Sequence, residues 1–492
     1  MTDRRLEVFN PSSGEVIAHV PLCAGEDVGA AVEAAQRAFG AWRDTPAPDR
    51  ARIMFRFREL LIRDTDRIAR TVSREHGKTF DESKASLQRG IDMVEFACGL
   101  PSLLTGESLR NIAPEIDCET IRHPLGVVTG ITPFNFPVMV PLWMIPVALT
   151  CGNCFILKPS EQVPLSANCL GELLAEAGLP DGVFSVVHGD QFCADALLKH
   201  PGVRAVSFVG STAAARYVYE TGTAHGKRVQ AAGGAKNHII IMPDAALDAT
   251  VSGLLNAAFG CAGQRCMAGS LAVAVGDAAD PVVDELCARA DRMKVGRTDR
   301  DDPVDMGPVI SREHNARVRS AIDLAEQEGA HVALDGRRVR VDDAPNGYFV
   351  GPTVIDRMSA DMRAAREEIF GPVLAVARVE TLDDAIALGD QCDYGNGAVI
   401  FTRSGRAAHT FKHRFGAGMI GVNVGVPAPL AWFPFTGWNG SFFGDLHMQG
   451  KEGVAFYTQQ RTIMTRWFET SSPETADPLW RAERDTNPPD GG

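Results

Sequence analysis

Apolar residues recur at helical spacing in two long segments near the start of the chain, residues 26–43 and 48–77. Both segments are otherwise rich in Ala, Arg and Glu, which predicts helices that pack one face against a core. Residues 116–122 alternate weakly between apolar and polar side chains and predict a strand.

A regular alternation of short apolar runs and helical patterns follows between residues 154 and 221. Strands that alternate with helices predict a parallel sheet with crossover helices, and hence an α/β fold. The predicted strands cover 154–158, 183–187 and 205–209, and the predicted helices cover 165–177, 197–200 and 213–221. A second region of the same kind begins with a strand at 239–242 and a helix at 249–260.

Residues 125–157 contain no Asp, Glu, Lys or Arg and are numerous enough to cross a bilayer. Prolines interrupt this stretch, and the side chains of Asn135 and Asn153 would be costly in lipid without hydrogen-bond partners. The stretch therefore predicts a buried loop, a short helix and a strand rather than a membrane span.

The composition, 45% hydrophobic and 23% charged, is ordinary for a globular enzyme. At roughly 150 residues per domain, the 492 residues should form about three structural units. A formal charge of −13 argues against nucleic acid, which is held largely by Lys and Arg contacts to phosphate. The N-terminus lacks an apolar signal segment and the eleven cysteines follow no regular spacing, so we expect a reducing, cytoplasmic location.

Cys266 stands out among the cysteines by its surroundings. It lies in Phe-Gly-Cys-Ala-Gly-Gln-Arg-Cys-Met-Ala-Gly-Ser at 259–270, where small residues leave room around its sulfur. A free cysteine has a pKa of about 8.5, so a catalytic thiol needs help to ionise, and we expect Arg265 beside it to provide that help. A packing role is the alternative.

A second marked segment is Thr-Pro-Phe-Asn-Phe-Pro at 132–137, where rigid neighbours surround a single side-chain amide, that of Asn135. This amide could donate to an oxyanion or bond to its own backbone in a turn. The spacing of Cys151 and Cys154 would suit a metal or a redox pair, but no Cys/His partner accompanies it and it runs into a predicted strand. Packing is therefore favoured there, and no metal site is predicted.

Two predicted strands end in polar turns that could hold a dinucleotide. Gly210 and Ser211 follow one strand and open a helix, where backbone N–H groups could meet a pyrophosphate. Lys158 and Glu161 follow another and offer a cation and a carboxylate in one turn. Taken alone, the first motif favours a tight turn with a capping serine, and the second favours a solvated surface ion pair.

Together these segments resemble the NAD(P)-dependent aldehyde dehydrogenase superfamily, as does Glu-Glu-Ile-Phe-Gly-Pro-Val at 367–373. The resemblance implies a Rossmann-like NAD-binding domain, an α/β catalytic domain and a small β oligomerisation element. It implies that Lys158 and Glu161 hold the adenosine ribose and that Glu368 holds the nicotinamide ribose. A carboxylate at Glu161 would repel a 2′-phosphate, so NAD rather than NADP is expected. The implied cofactor residues are Thr132, Pro133, Phe134, Lys158, Ser160, Glu161, Gly210, Ser211, Glu368 and Phe370.

The same resemblance implies a covalent route. Cys266 attacks the aldehyde carbon, the Asn135 amide and the Cys266 N–H stabilise the oxyanion, and hydride transfer leaves a thioacyl enzyme. Hydrolytic members use a glutamate to activate water, and the matching position here is Ala232, which cannot accept a proton. A missing general base slows water attack by about 10²–10⁴, so the thiol of coenzyme A is the expected acyl acceptor.

Several motifs are similar to the CoA-acylating branch, the methylmalonate-semialdehyde dehydrogenases. They are Gly-Ala-Lys-Asn-His at 234–238, Gly-Gln-Arg-Cys-Met at 263–267, the segments between 435 and 459, and Phe134 in place of tryptophan. In that branch two arginines bind the substrate carboxylate, and the matching residues here are Arg89 and Arg265. Arginine suits this role because a guanidinium group can donate two parallel hydrogen bonds to a carboxylate. The alternatives are a surface salt bridge for Arg89 and a loop-fixing ion pair for Arg265.

The implied reaction converts methylmalonate semialdehyde to propionyl-CoA, or malonate semialdehyde to acetyl-CoA, with CO₂ and NADH. Ala232-Gly233 replaces the Asn-Met pair common in the branch, and Trp432 adds bulk near the substrate mouth. These departures leave the choice between the two semialdehydes open. A hydrolytic dehydrogenase for another small semialdehyde, or a noncatalytic NAD-binding scaffold, are the alternatives.

The resemblance also divides the chain. It implies an NAD-binding domain at 1–104 and 125–232, a catalytic domain at 233–455 and an oligomerisation element at 105–124 and 456–468. Residues 469–492 are rich in Pro, Glu, Asp and Gly and are expected to be mobile. A homodimer or homotetramer is expected, because exposed strand edges seek partners.

Overall fold

The computed structural model describes residues 4–467. Contacts divide these described residues into two units, one of residues 4–104 and 123–459, the other of residues 105–122 and 460–467. The tail expected to be mobile, 469–492, lies outside the described residues.

The helices begin and end as follows: α1 Gly25–Asp44, α2 Ala47–Arg63, α3 Thr65–His76, α4 Phe80–Cys98, α5 Met139–Thr150, α6 Pro164–Glu176, α7 Gln191–Lys199, α8 Thr212–Ala224, α9 Leu247–Phe259, α10 Ala279–Ala290, α11 Arg312–Gln327, α12 Arg363–Arg366, α13 Leu382–Asp390, α14 Gly405–Arg414 and α15 Gly450–Phe456. The strands are β1 Arg5–Phe9, β2 Val16–Pro21, β3 Ser108–Ala113, β4 Ile116–Pro124, β5 Val127–Ile131, β6 Cys154–Lys158, β7 Phe184–Val186, β8 Val203–Val209, β9 Arg228–Ala232, β10 Asn237–Ile241, β11 Gly269–Val275, β12 His331–Leu334, β13 Thr353–Met358, β14 Val373–Val379, β15 Tyr394–Gly395, β16 Gly397–Phe401, β17 Met419–Val422, β18 Trp438–Asn439, β19 Phe442–Phe443 and β20 Thr458–Arg466.

Two large sheets form the framework of the first unit. One has the order β19-β9-β8-β5-β6-β7 and is parallel apart from β19. The other has the order β12-β13-β14-β11-β10-β16-β17 and is parallel apart from β12. Strands such as β5 and β6 are buried along their whole length, as expected when helices cover both faces of a parallel sheet. The predicted α/β class is confirmed.

The helix predicted over 48–77 is wrong as a single element, because α2 ends at Arg63 and α3 begins at Thr65. Asp64 lies between them with φ −99° and ψ 14°, outside helical geometry. Its carboxylate pairs with Arg63 and Arg67, and short polar side chains of this kind compete with regular helical bonding. Because the apolar periodicity continues across the break, the sequence pattern could not reveal that one helix ends and another begins there.

The prediction for residues 125–157 missed a strand. The structure has β5 before the loop that holds Asn135, then α5 and β6. A strand that is buried on both faces has a continuous apolar sequence. The alternation of apolar and polar residues that would have indicated β5 was therefore absent. Within residues 4–467 no helix combines the length and apolar character needed to cross a bilayer. Cys151 and Cys154 are buried in the core beside α5 and β6.

The second unit is built around a three-stranded sheet of order β20-β4-β3. Strands β3 and β4 pair antiparallel. The indole N–H of Trp467 donates to the Asp117 carboxylate at 2.9 Å, and the Trp467 backbone N–H donates to the Glu115 carbonyl. These bonds attach the end of the described chain to the turn between β3 and β4.

Candidate active site

The side chains singled out in the sequence line two cavities that share Cys266. The first, of about 390 Å³, is bordered by Cys266, Asn135 and all ten residues predicted to hold the cofactor. The second, of about 600 Å³, is bordered by Cys266, Arg89 and Arg265. The fold thus brings every predicted site residue to one of two cavities, with the thiol between them.

The first cavity lies at the carboxyl ends of three adjacent strands, β8, β5 and β6. The chain runs from β5 outward to β6 in one direction and from β8 outward to β9 in the other. This reversal of strand order opens a crevice at the strand ends, which is where parallel α/β sheets bind ligands.

Polar groups at these strand ends suit a dinucleotide. Ser211 caps α8 by accepting from the Ala214 N–H, and it also borders the cavity, so the capping alternative and the cofactor role coexist. The Lys158 ammonium donates to the Glu161 carboxylate at 3.0 Å. The buried Thr132 Oγ1 has no hydrogen-bond partner among the described residues. An unpaired buried hydroxyl in the wall of this cavity is consistent with a polar ligand.

The turn just before Cys266, the predicted nucleophile, has an unusual backbone. Cys261, Ala262 and Gly263 are all left-handed, with φ of 54°, 51° and 69°. A Cβ at Gly263 would lie 2.0 Å from the Gly371 carbonyl oxygen. Glycine there lets the nucleophile turn contact the segment that carries Glu368 and Phe370.

Three side-chain amides fix the backbone around Cys266. Asn135 Nδ2 donates to the Gln264 carbonyl at 3.0 Å rather than to its own backbone. The Cys266 carbonyl accepts from Asn237 Nδ2 at 2.8 Å and from Asn396 Nδ2 at 3.0 Å. Sequence reasoning missed both of these residues. Asn237 lies within the quoted 234–238 motif and could have been found, whereas nothing local marks Asn396.

The surroundings of the Cys266 thiol disfavour its ionised form. Burial, together with the nearby Glu368 charge, raises the pKa of Cys266 to about 12, and the Lys78 ammonium opposes this effect. The expected help from Arg265 is not what the geometry shows. Its Nε donates to the Cys261 sulfur at 3.2 Å, and its Nη1 faces the Asn256 carbonyl.

A buried cluster missed by the sequence interpretation orients Arg265. The Lys78 ammonium also donates to the Cys261 sulfur at 3.2 Å and lies 3.6 Å from the centre of the Phe136 ring. The Glu82 carboxylate lies 3.7 Å from Arg265 Nη2 and accepts from the Cys261 N–H. Arg265 therefore makes the ion pair that was considered as an alternative, the one that fixes the loop. It also borders the larger cavity, so this contact does not exclude a role in substrate binding.

Arg89 is exposed on α4, and its side chain borders the larger cavity. No ion pair or hydrogen bond of its guanidinium occurs within the part of the chain that the structure describes, so the surface salt bridge considered above is absent there. A free guanidinium in a cavity wall is suited to an anionic ligand.

Glu368 and Phe370 border the cofactor cavity from the second sheet's side. Burial raises the pKa of Glu368 to about 7, although its carboxylate accepts from the Ala235 N–H at 3.1 Å. On α11, His314 bonds to the Phe370 carbonyl and Arg317 donates to the Ile369 carbonyl. Arg317 also borders the cavity. The sequence did not indicate this role, because Arg317 lies on a largely polar helix.

Ala232 ends β9 and is buried. Its carbonyl accepts from the Gly210 N–H at 3.1 Å, so the position adjoins the cofactor turn. The methyl group offers no proton acceptor at this position.

The model of the aldehyde dehydrogenase family matches residues 1–463, and the chain belongs to that family. The resemblance noted in the sequence is thereby confirmed. Within it, the chain is 52% identical to malonate-semialdehyde dehydrogenase 2 of Geobacillus kaustophilus, over 94% of this chain and 95% of that protein.

Solved structures are similar to this chain as well. One is the methylmalonate-semialdehyde dehydrogenase DddC from Oceanimonas doudoroffii, with a TM-score of 0.94 and 52% identity over 95% of this chain and 96% of that one. Another is a Sinorhizobium meliloti protein assigned as a methylmalonate-semialdehyde dehydrogenase and complexed with NAD, with a TM-score of 0.94 and 45% identity over 95% of each chain.

Proposed function

We propose that this protein oxidises methylmalonate semialdehyde, and malonate semialdehyde, with NAD and transfers the acyl group to coenzyme A with loss of CO₂. The observation that carries the proposal is one cavity bordered by Cys266, the unpaired guanidinium of Arg89 and the held guanidinium of Arg265. A nucleophile beside two positive charges, one of them held in place, suits an aldehyde that also bears a carboxylate. The names of the similar proteins agree with this substrate class.

Capture of the aldehyde falls to Cys266 and Asn135. The Cys266 thiol gives up its proton to solvent, its sulfur adds to the carbonyl carbon, and the carbonyl electrons move to oxygen. An amide nitrogen carries two hydrogens, and the Gln264 carbonyl holds one of those on Asn135. The second hydrogen is then a fixed donor for the oxyanion, and Asn237 and Asn396 keep the Cys266 backbone N–H in place by holding its carbonyl.

Bound NAD would supply a hydride acceptor for the captured carbon. The residues that would hold it are the ten that border the smaller cavity, with Lys158 and Glu161 at one end and Glu368 with Phe370 near the thiol. Arg317 donates to the Ile369 carbonyl and His314 bonds to the Phe370 carbonyl. These bonds keep the segment of Glu368 and Phe370 in position.

Release of the acyl group uses a second thiol in this proposal. Ala232 provides no base to activate water, whereas the thiol of coenzyme A attacks the thioester directly and returns the Cys266 sulfur as the leaving group. The substrate carboxylate is β to the thioester carbonyl. When it leaves as CO₂, its bonding electrons form an enolate that the thioester stabilises and a proton quenches.

Turnover of a small aldehyde panel with and without coenzyme A tests the proposal. We expect propionyl-CoA from methylmalonate semialdehyde and acetyl-CoA from malonate semialdehyde, each with one NADH and one CO₂. Without coenzyme A we expect a single stoichiometric NADH burst. Equal steady-state rates with and without coenzyme A would instead establish the hydrolytic alternative, and no burst with any semialdehyde would establish the scaffold alternative.

We also propose a homodimer or homotetramer built through the three-stranded sheet, in the cytoplasm. Leu109 and Ile112 on β3 and Met464 on β20 are exposed apolar side chains on the two edge strands of that sheet, and such edges favour pairing. All eleven cysteines are free thiols, which suits a reducing compartment. Sedimentation of the purified protein tests the oligomer.

A further inference from the structure

One polar side chain in the wall of the larger cavity takes no part in the steps above. Gln449 immediately precedes α15 and borders the cavity together with Arg89, Arg265 and Cys266. It is only 4% exposed, and its Oε1 has no hydrogen-bond partner among the described residues. Buried polar atoms in folded proteins are nearly always paired, so this atom requires an explanation.

The backbone of Gln449 is also unfavourable. With φ 69° and ψ 172°, it occupies a region that is almost reserved for glycine. Bonds on both sides enforce this conformation: the Met448 carbonyl accepts from Phe435 N–H, and the Gly450 N–H donates to the Ala431 carbonyl.

Glycine would adopt this backbone without strain. Gln449 thus combines a strained backbone with an unpaired amide at the edge of the cavity that holds the thiol. Neither feature stabilises the fold, and strained residues concentrate where a side chain serves a ligand.

We propose that Gln449 is a specificity-determining residue that contacts the carboxylate end of the semialdehyde together with Arg89 and Arg265. This inference rests on the proposed function, because it takes the carboxylate-bearing substrate as given. A carboxylate offers about four acceptor sites, and a bidentate pair with Arg89 would fill two of them. Because the Cys261 sulfur and the Asn256 carbonyl engage Nε and Nη1 of Arg265, that guanidinium does not fill both remaining sites. An amide N–H fills one of them, and a half turn about the last side-chain bond presents either amide atom to the cavity.

Once the carboxylate is bound, the unpaired Oε1 also gains a partner. The guanidinium groups that hold the same carboxylate are N–H donors in that cavity, and the amide oxygen accepts from them. A neutral aldehyde would bring neither interaction, so Gln449 should act on substrate choice rather than on the chemical step.

The test compares the CoA-free NADH burst with methylmalonate semialdehyde and with propanal. Gln449→Leu keeps the size and removes the polar atoms, Gln449→Glu replaces the donor by a charge that repels a carboxylate, and Gln449→Gly removes the side chain and the strain. We expect the apparent second-order burst constant for the semialdehyde to fall about tenfold or more in each variant, most in Gln449→Glu, and that for propanal to change less than about threefold. Thermal unfolding should show Gln449→Gly at least as stable as the parent protein.

The outcomes separate the two claims. Equal losses with both aldehydes, or a Gln449→Gly variant that melts below the parent, would make Gln449 a structural residue and overturn the inference. A parent protein that prefers the semialdehyde while Gln449→Leu retains that preference would overturn the inference alone. A parent protein with no preference for the semialdehyde would instead overturn the proposed function.

Discussion

The two cavities that meet at Cys266 are built in different ways. The cofactor cavity is lined largely by loops at the ends of neighbouring parallel strands, and its charged groups are partnered, as Lys158 is with Glu161. The substrate cavity draws its walls from α4, the nucleophile turn and the chain near α15, and it contains a free guanidinium and an unpaired amide oxygen. In the proposed function, a regular sheet edge holds the cofactor, whereas substrate choice depends on polar groups left unpaired for a ligand.

Removing the group common to both cavities gives the largest effect. Cys266→Ala should abolish the NADH burst, a loss of about 10⁴-fold or more, because no other group in the proposed route forms the covalent bond. Stopped-flow absorbance at the NADH band measures it. Cys287→Ala on α10, also half-buried, is the matched control and should keep the full burst. A surviving burst in Cys266→Ala would move the chemistry to another residue.

The next largest effect should come from Asn135, which borders the smaller cavity together with Cys266. Asn135→Ala removes the oxyanion donor and the bond to the Gln264 carbonyl, so the burst rate should fall by about 10²–10³. Asn135→Asp keeps the shape without the N–H donor and should be no faster. Near-normal rates in both variants would exclude the amide as the oxyanion donor.

Variants of the two arginines test whether the substrate cavity alone reads the carboxylate. Arg89→Ala and Arg265→Ala should each raise the KM for methylmalonate semialdehyde by about 10- to 100-fold while changing that for propanal far less. Arg52→Ala, at an exposed surface pair with Asp49, is the control and should change neither. If both aldehydes respond equally, the guanidinium groups do not read the carboxylate and the contrast between the cavities fails.

The smallest effect concerns the cofactor cavity and pH. Glu368 has a pKa raised to about 7, so its carboxylate is charged above that pH and protonated below it. If it accepts from the ribose hydroxyls, the KM for NAD should rise about threefold to tenfold as the pH falls from about 8 to about 6. Glu368→Gln should remove this pH dependence. A wild-type KM for NAD that is flat across this range would exclude the role.

The same contrast explains what could be predicted from the sequence. Lys158 and Gly210 follow short apolar strands, so local pattern placed them at strand ends, and the structure confirms those strands within two residues. The predicted role of Arg89 and Arg265 in binding a carboxylate came from the family resemblance and not from the local pattern. Lys78 and Gln449 could not be found in this way, because their significance lies in contacts between segments distant in sequence.

Three errors arose where the apolar pattern or adjacency in sequence does not record the local geometry. The strand β5 was missed because burial on both faces removes alternation, and the break at Asp64 was missed because apolar spacing continues through it. The expectation for Arg265 failed because adjacency in sequence does not fix direction, and its guanidinium points to Cys261.

The central claim is that one sulfur holds the acyl group until a second sulfur removes it. The direct measurement mixes the protein with NAD and methylmalonate semialdehyde without coenzyme A, quenches in acid, and maps the adduct by peptide mass spectrometry. The account predicts an acyl mass on the peptide that contains Cys266, lost on adding coenzyme A as propionyl-CoA appears. An adduct on any other residue, or one that persists with coenzyme A present, would contradict it.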